Sequence, residues 1–398
     1  MTTTFEKSFT QQEPIPEAAI AKAVEVMRSG KLHRYNTAPG EHSEAALLEQ
    51  EFAASLGVDY CLACASGGYA IHIALKACGM QPGDTVLTNA FTLAPVPGAI
   101  DNAGGKAALV EIDDNYCVDL THLESMMHST DARFFLISHM RGHLADMDIV
   151  RQLCEQNNVC LIEDCAHTMG AFWNGQASGT FGQAACFSTQ TYKHINSGEG
   201  GLLTTNNNDV IARAIIHSGS YMLFERHGTV PNTDTFNDIK LDTPNYSGRM
   251  DNLRAAILRE QLSTLQTNCE RWNKLYIAAE AGLRQNNSIT LSDRPEKETY
   301  VGSSIQFRVD DLDDVDGFLQ RCAKRGVELK WFGGLEPHGF TSRYDSWRYL
   351  GETPALPNTL RILNRTFDMR LPLTFNEEDM HAITSIINDE LLNAYNSH

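Results

Sequence analysis

Between residues 43 and 205, short continuous apolar runs alternate with segments whose apolar positions recur at helical spacing. Tyr60-Cys-Leu-Ala-Cys-Ala, Thr85-Val-Leu-Thr, Ala107-Ala-Leu-Val-Glu-Ile, Phe134-Phe-Leu-Ile-Ser and Val159-Cys-Leu-Ile-Glu-Asp read as strands. Glu44–Leu56, stopped by Gly57, reads as a helix, as do residues 69–77 and 146–157. Strands that are apolar throughout, joined by crossover helices, predict an α/β fold with a mostly parallel central sheet covered on both faces. After Asn206 the texture changes. Residues 221–247 are polar and irregular, 251–283 read as one long helix, and a strand near Ser304–Val309 precedes helices near 315–325 and 376–392. The pattern predicts two units: a large domain over residues 1–250, including an N-terminal segment, and a smaller C-terminal α/β domain over 251–398.

Composition narrows the function classes. With 50 acidic and 32 basic side chains in 398 residues, the formal charge is −18. That argues against sequence-independent nucleic-acid binding, which needs clustered Lys and Arg against phosphates. No apolar run approaches the ~18 residues of a membrane-spanning helix, and no basic segment followed by an apolar one opens the chain. Ten cysteines are scattered through apolar stretches and read as buried free thiols in a reducing, cytoplasmic setting. Cys61-x-x-Cys64 lies in a strand-like run without a second ligand pair, so it reads as core, not as a metal or redox site.

Three stretches carry chemistry. Glu163-Asp164-Cys165-Ala166-His167 closes an apolar strand, at the edge where open α/β sheets bind ligands. An acid there could bind a metal, act as a base or pair with a cationic heterocycle. Ser188 leaves a second strand and Lys193 follows five residues later, ahead of Gly198-Glu-Gly-Gly. A crowded, desolvated lysine suits a Schiff-base amine, although most lysines are simply solvated. Ser66-Gly67-Gly68-Tyr69, between a strand and a helix, can present backbone N–H groups to an anion or be a plain turn. It is not a dinucleotide fingerprint. Together the three supply an anion cradle, an acid for a ring nitrogen and an amine for an aldehyde, the contacts that pyridoxal phosphate needs.

With these motifs the chain resembles the DegT/StrS family of pyridoxal-phosphate-dependent aminotransferases. The resemblance rests on Gly83-Asp84, Asn89-Ala-Phe-Thr, His139-Met-Arg-Gly-His-Leu-Ala-Asp-Met-Asp148, Glu163-Asp-Cys-Ala-His, Gly179-Thr-Phe-Gly, Lys193, Gly198-Glu-Gly-Gly and Arg249-Met-x-x-Leu-x-Ala-Ala256. It implies a type I aminotransferase fold with pyridoxal 5'-phosphate in the large domain. The implied catalytic residues are Lys193 as the Schiff-base amine and proton shuttle, Asp164 on the pyridine nitrogen and His167 at the phenolic oxygen. Ser188, Gly67 and Gly68 would hold the phosphate, and Leu93 would occupy the place of the usual ring-stacking aromatic. The resemblance further implies a homodimer with shared active sites, to which Asn245 would contribute a cofactor contact and Arg249 a substrate contact. Arg34 and Tyr35 are candidate substrate contacts, and Arg141 and His143 candidates for a substrate anion. The Lys330-Trp-Phe-Gly-Gly run is a candidate lid or packing element.

The implied reaction moves an amino group from glutamate or glutamine to a carbonyl acceptor, most often a keto-sugar. Departures from the family pattern leave the acceptor open. Gly68 stands where a Thr is common, with Tyr69 as a substitute hydroxyl, and Asn245-Tyr-Ser-Gly-Arg249 replaces a shorter Asn-Tyr-Arg, with Ser247 a rival for the Asn slot. Two alternatives remain: a sugar dehydratase, in which a histidine replaces the lysine, and a catalytically silent regulatory member.

Overall fold

The computed structural model describes residues 4–396. The central sheet takes β1 (Tyr60–Cys64), β2 (Thr85–Asn89), β3 (Lys106–Val110), β4 (Phe134–Ser138) and β5 (Cys160–Asp164). The hairpin β6 (Phe172–Trp173) and β7 (Gln176–Ala177) stands apart from it, and β8 (Ala184–Ser188) and β9 (Gly201–Thr205) complete it. The seven strands run in the order β1-β9-β8-β5-β4-β2-β3, and all pair in parallel except β9, which is antiparallel to both neighbours. Helices Gly67–Ala77 and Asn208–Ser218 cover one face over Leu62, Val86, Leu136, Ile162 and Leu203. The other face packs Phe135, Ile137 and Leu161 beneath helix Met147–Gln156. The α/β class and mostly parallel sheet expected from the strand pattern are therefore present.

The smaller sheet comprises β10 (Ile289–Leu291), β12 (Ser304–Val309), β13 (Lys330–Trp331) and β14 (Thr366–Arg370), all antiparallel, in the order β10-β12-β14-β13. Between β10 and β12, β11 (Glu298–Thr299) returns to pair with β6 of the large unit.

Helix packing continues across residue 250. Helix Asn252–Leu262 packs on Glu17–Ser29 and Glu44–Leu56 in the large unit, so the expected long helix is two, broken at Ser263 and Thr264. The second, Leu265–Leu283, starts with Cys269 and Trp272 in the large core and ends with Leu275 to Leu283 in the small one. Nor does the N-terminal segment belong wholly to the large unit. Phe5 and Phe9 pack edge-to-face on Phe375, each with ring centroids 5.0 Å away, and fill the C-terminal core. Apolar residues at the start of the chain thus found their burial at its end.

All ten cysteines are free thiols, including Cys61 and Cys64. Among the described residues no helix is long and apolar enough to cross a membrane.

Candidate active site

The parallel strands β4 and β5 deliver Ser138 and Asp164 side by side at their carboxyl ends. The two acids closing β5 point to opposite faces, as strand alternation requires. Glu163 is fully buried and accepts backbone N–H bonds from Gly179 (2.9 Å), Phe181 (2.7 Å) and Gly182 (2.9 Å). Those bonds supply what a buried carboxylate lost on leaving water. His139 and Cys165 lie close to Glu163, but with both its oxygens already bonded that carboxylate reads as the anchor of the 179–182 turn.

Asp164 faces the opposite way, into a cavity of about 430 Å³ between the two units. Its Oδ2 accepts from Ser138 Oγ at 2.8 Å and its Oδ1 from the Ala166 N–H at 3.1 Å. Ser138 Oγ in turn accepts from Thr92 Oγ1 at 2.7 Å. Asn89 locks this row: its amide donates to the carbonyls of Phe91 and Ser138, and its Oδ1 accepts the Ser138 N–H. The carboxylate is therefore held in one orientation before any ligand arrives.

Lys193 and His167 meet in the same cavity, with Nζ 2.8 Å from Nε2. The Arg141 backbone N–H donates to His167 Nδ1 at 3.3 Å, which assigns the ring proton to Nε2 and makes the lysine the acceptor. A neutral amine fits its surroundings. Burial lowers the Lys193 pKa to about 7, against the pull of Asp164 and with help from Arg141, Arg370 and Lys330. Burial, then Lys193 and Arg141, hold His167 well below its ordinary value.

Across the cavity, Ser66 caps helix Gly67–Ala77 by accepting from the Tyr69 N–H at 3.1 Å. The Gly67 and Gly68 amides, at the positive end of the helix, have no protein acceptor among the described residues. A Cβ at Gly67 would stand 2.9 Å from Ser188 Cβ, so only glycine lets the cradle close on the Ser188 hydroxyl. Two amides and a hydroxyl at a helix start can hold an anion.

Leu93 also lines the cavity, so Lys193, Asp164, His167, Gly67, Gly68, Ser188 and Leu93 are brought together. Asn245 and Arg249 are not among its lining residues. They sit at Gly219, where Arg249 donates to the Gly219 carbonyl (2.9 Å) and Asn245 accepts the Ser247 N–H (2.9 Å). Arg34 and Tyr35, candidate substrate contacts on the sequence pattern, have another place. The Arg34 side chain is fully buried in a bidentate pair with Glu49, both bonds 2.9 Å, and Tyr35 Oη bonds His227 Nε2 at 2.7 Å. Both side chains are engaged inside the core. Tyr69 offers no hydroxyl to the cradle either, because its Oη donates to the His217 carbonyl. His143 is buried against Gln306 at 2.7 Å, whereas Arg141 lines the cavity.

Sequence reasoning missed Arg370, Tyr192, Ser138 and Phe340 as lining residues, and saw Lys330 only as part of an aromatic run. Arg370 closes strand β14 as Asp164 closes β5, but β14 carries Thr366 and Asp368 and does not read as an apolar run. A larger cavity, about 800 Å³, opens at the opposite edge of the sheet around Cys78 and Cys160, but it has neither cradle nor buried amine.

The model of the DegT/DnrJ/EryC1/StrS aminotransferase family matches residues 14–388. A pleiotropic regulatory protein of Geobacillus stearothermophilus is 31% identical over 231 residues, 57% of each chain. A dTDP-3-amino-3,4,6-trideoxy-alpha-D-glucose transaminase of Micromonospora megalomicea is 30% identical over 220 residues, 55% of each chain. The chain thus spans about half the length of the curated relatives it matches. In fold, the crystal structure of the aminotransferase TlmJ from Streptoalloteichus hindustanus superimposes with a TM-score of 0.82 at 20% identity, covering 96% of this chain and 98% of the other.

Proposed function

The chain belongs to the DegT/DnrJ/EryC1/StrS aminotransferase family, and we propose that it is a pyridoxal-phosphate-dependent aminotransferase. It takes an amino group from glutamate or glutamine and passes it to a carbonyl acceptor, most often a keto-sugar. The observation that carries the reading is the Lys193 amine, desolvated and accepting from His167, in one cavity with Asp164 and the glycine cradle. The relative named as a dTDP-3-amino-3,4,6-trideoxy-alpha-D-glucose transaminase supports a sugar acceptor.

These residues fit the cofactor. The free Gly67 and Gly68 amides and Ser188 Oγ would take its phosphate, Asp164 its ring nitrogen, His167 Nε2–H its phenolic oxygen and Lys193 its aldehyde. When bound, pyridoxal phosphate supplies an electron sink conjugated to the substrate carbon. Asp164, pinned by Ser138 and Ala166, would hold a proton on the ring nitrogen. Lys193 Nζ would take the proton from the substrate carbon and return it later in the transfer. Leu93 and Phe340 line the cavity that would hold that carbon. The test is visible absorbance in cofactor-saturated protein, bleached by glutamate and lost in Lys193→Ala. Saturated protein without that absorbance would overturn the reading.

Arg249 lies 4.9 Å from the ring centroid of exposed Tyr221, and exposed Tyr246 follows Asn245 in the chain. Apolar exposure of that kind supports a homodimer in which Asn245 and Arg249 reach the neighbouring subunit's site. A regulatory role is the second reading, supported by the relative named as a pleiotropic regulatory protein. A partner-dependent phenotype kept by Lys193→Ala would favour it. The dehydratase reading lacks support: His194 lies behind Lys193, edge-on to Trp272, outside the cavity.

A further inference from the structure

The cavity of about 800 Å³ at the opposite edge of the central sheet, where β5 begins, plays no part in the site above. Three of the ten free thiols line it: Cys78, Cys154 and Cys160. Helix Gly67–Ala77 stops at Cys78, and Cys160 is the first residue of β5, over which that helix packs. Both residues are half-buried and rest against the same apolar cluster of the large unit. A cavity of this size admits a small-molecule ligand.

The thiols on this cavity are not equivalent. The Cys78 and Cys160 side chains are hydrogen-bonded to one another, with Cys78 as donor. That bond lowers the Cys160 pKa against the effect of burial, and the Arg133 guanidinium lowers it further. Arg133 is held beside it, because its carbonyl accepts the Cys160 N–H at 2.8 Å. The same bond, together with burial, raises Cys78. Cys154 is fully buried, and burial pushes its thiol up to about 12. Cys160 is thus the sulfur that ionises, with a protonated thiol in contact and an open approach from the cavity. Reactive dithiols need that division, whereas thiols sealed in apolar core, such as Cys61 and Cys64, are inert.

We propose that Cys78 and Cys160 form a reversible dithiol–disulfide site that exchanges with a low-molecular-weight disulfide entering this cavity. Cys160 attacks one sulfur of the small disulfide, forming a mixed disulfide and expelling one small thiolate. The Cys78 sulfur then attacks Cys160 Sγ, forming the Cys78–Cys160 bond and expelling the second. The protein pair is oxidised by two electrons, the small disulfide is reduced to two thiols, and the protons of Cys78 and Cys160 end on those thiols. Sulfurs already in contact need only side-chain rotation to reach bonding distance. The bond would fasten the helix that opens with the glycine cradle to the strand that ends in Asp164, at the ends away from the candidate active site. The site is independent of the aminotransferase reading and stands whether or not the cradle takes a cofactor.

The test incubates the purified full chain with oxidised glutathione, quenches in acid, and counts free thiols after denaturation with intact mass read alongside. Wild-type protein should lose two of its ten thiols without retaining glutathione, and dithiothreitol should restore them. Peptide mapping of the oxidised wild type, which needs no variant, should join the Cys78 and Cys160 peptides. Cys78→Ser should retain one glutathione on Cys160, and Cys160→Ser should react at least about tenfold more slowly. The proposal fails if the folded wild-type protein keeps all ten thiols, or if mapping joins any other pair, Cys154 included. It also fails if folded Cys160→Ser loses two thiols as fast as the wild type.

Discussion

His167 donates to Lys193 across 2.8 Å because the Arg141 N–H already occupies the other ring nitrogen. The amine is thereby held as an acceptor, and burial lowers its pKa to about 7 from an ordinary 10.5. Capture of pyridoxal phosphate by cofactor-free protein should accelerate as pH rises through 7, followed as visible absorbance. A midpoint in the ordinary lysine range would refute the assignment. Because the unfolded chain binds the extra proton between pH 7 and 10.5, Lys193 also makes stability rise with pH across that window.

Asp164→Asn removes the charge that Ser138 and Ala166 orient. We expect the single-turnover reaction with glutamate to slow by on the order of 10²–10³. Ser138→Ala, which leaves the carboxylate but frees it to turn, should cost less. Equal losses in the two variants would contradict the division of roles.

Gly201→Ala tests the cradle from behind. A Cβ there would collide with the Ser66 carbonyl and stand 2.6 Å from the Gly67 nitrogen, both backbone atoms that cannot step aside. Overpacking should cost about 1–3 kcal/mol of stability, and cofactor affinity should fall with it, measured by denaturant titration and by equilibrium dialysis.

Glu49→Gln addresses the core network. It leaves Arg34 buried without its partner, and Glu49 also accepts from the Ala63 and Gly228 N–H groups. We expect a loss of about 3–5 kcal/mol in urea unfolding, with cofactor stoichiometry retained in the folded fraction. Unchanged stability would mean that the pair is structurally idle.

Shared sites in a dimer can be tested by mixing inactive subunits. Lys193→Ala and Arg249→Ala, unfolded and refolded together, should recover about a quarter of wild-type activity, because each mixed dimer regains one complete site. No recovery would place Arg249 in its own subunit's site or outside both.

The residues that sequence reading brought to the cavity are those whose context is local. Asp164 ends a strand, Gly67 and Gly68 open a helix, and Lys193 follows a strand within a short loop; each can be placed from its own neighbours. Arg370 and Lys330 could not be so placed, because their position depends on how β13 and β14 pair and on the small sheet facing the large one. The surroundings of Arg34 and Tyr35 were illegible for a related reason. A polar stretch near the start of the chain looks like a loop, and nothing nearby shows that Glu49 lies on a buried helix face and His227 arrives from residue 227 to complete its burial. The break at Ser263 and Thr264 was hidden because both flanks keep helical periodicity.

Lys7 pairs with Asp379 across 372 positions of chain, next to Phe5 and Phe9 in the C-terminal core. Those two rings are synthesised long before Phe375, Met380 and Ile383, with which they share that core. The core therefore closes only after the last of its residues has been made. Until then the Phe5–Phe9 segment is an apolar strap without a seat, open to chaperones and proteases while the intervening chain is made.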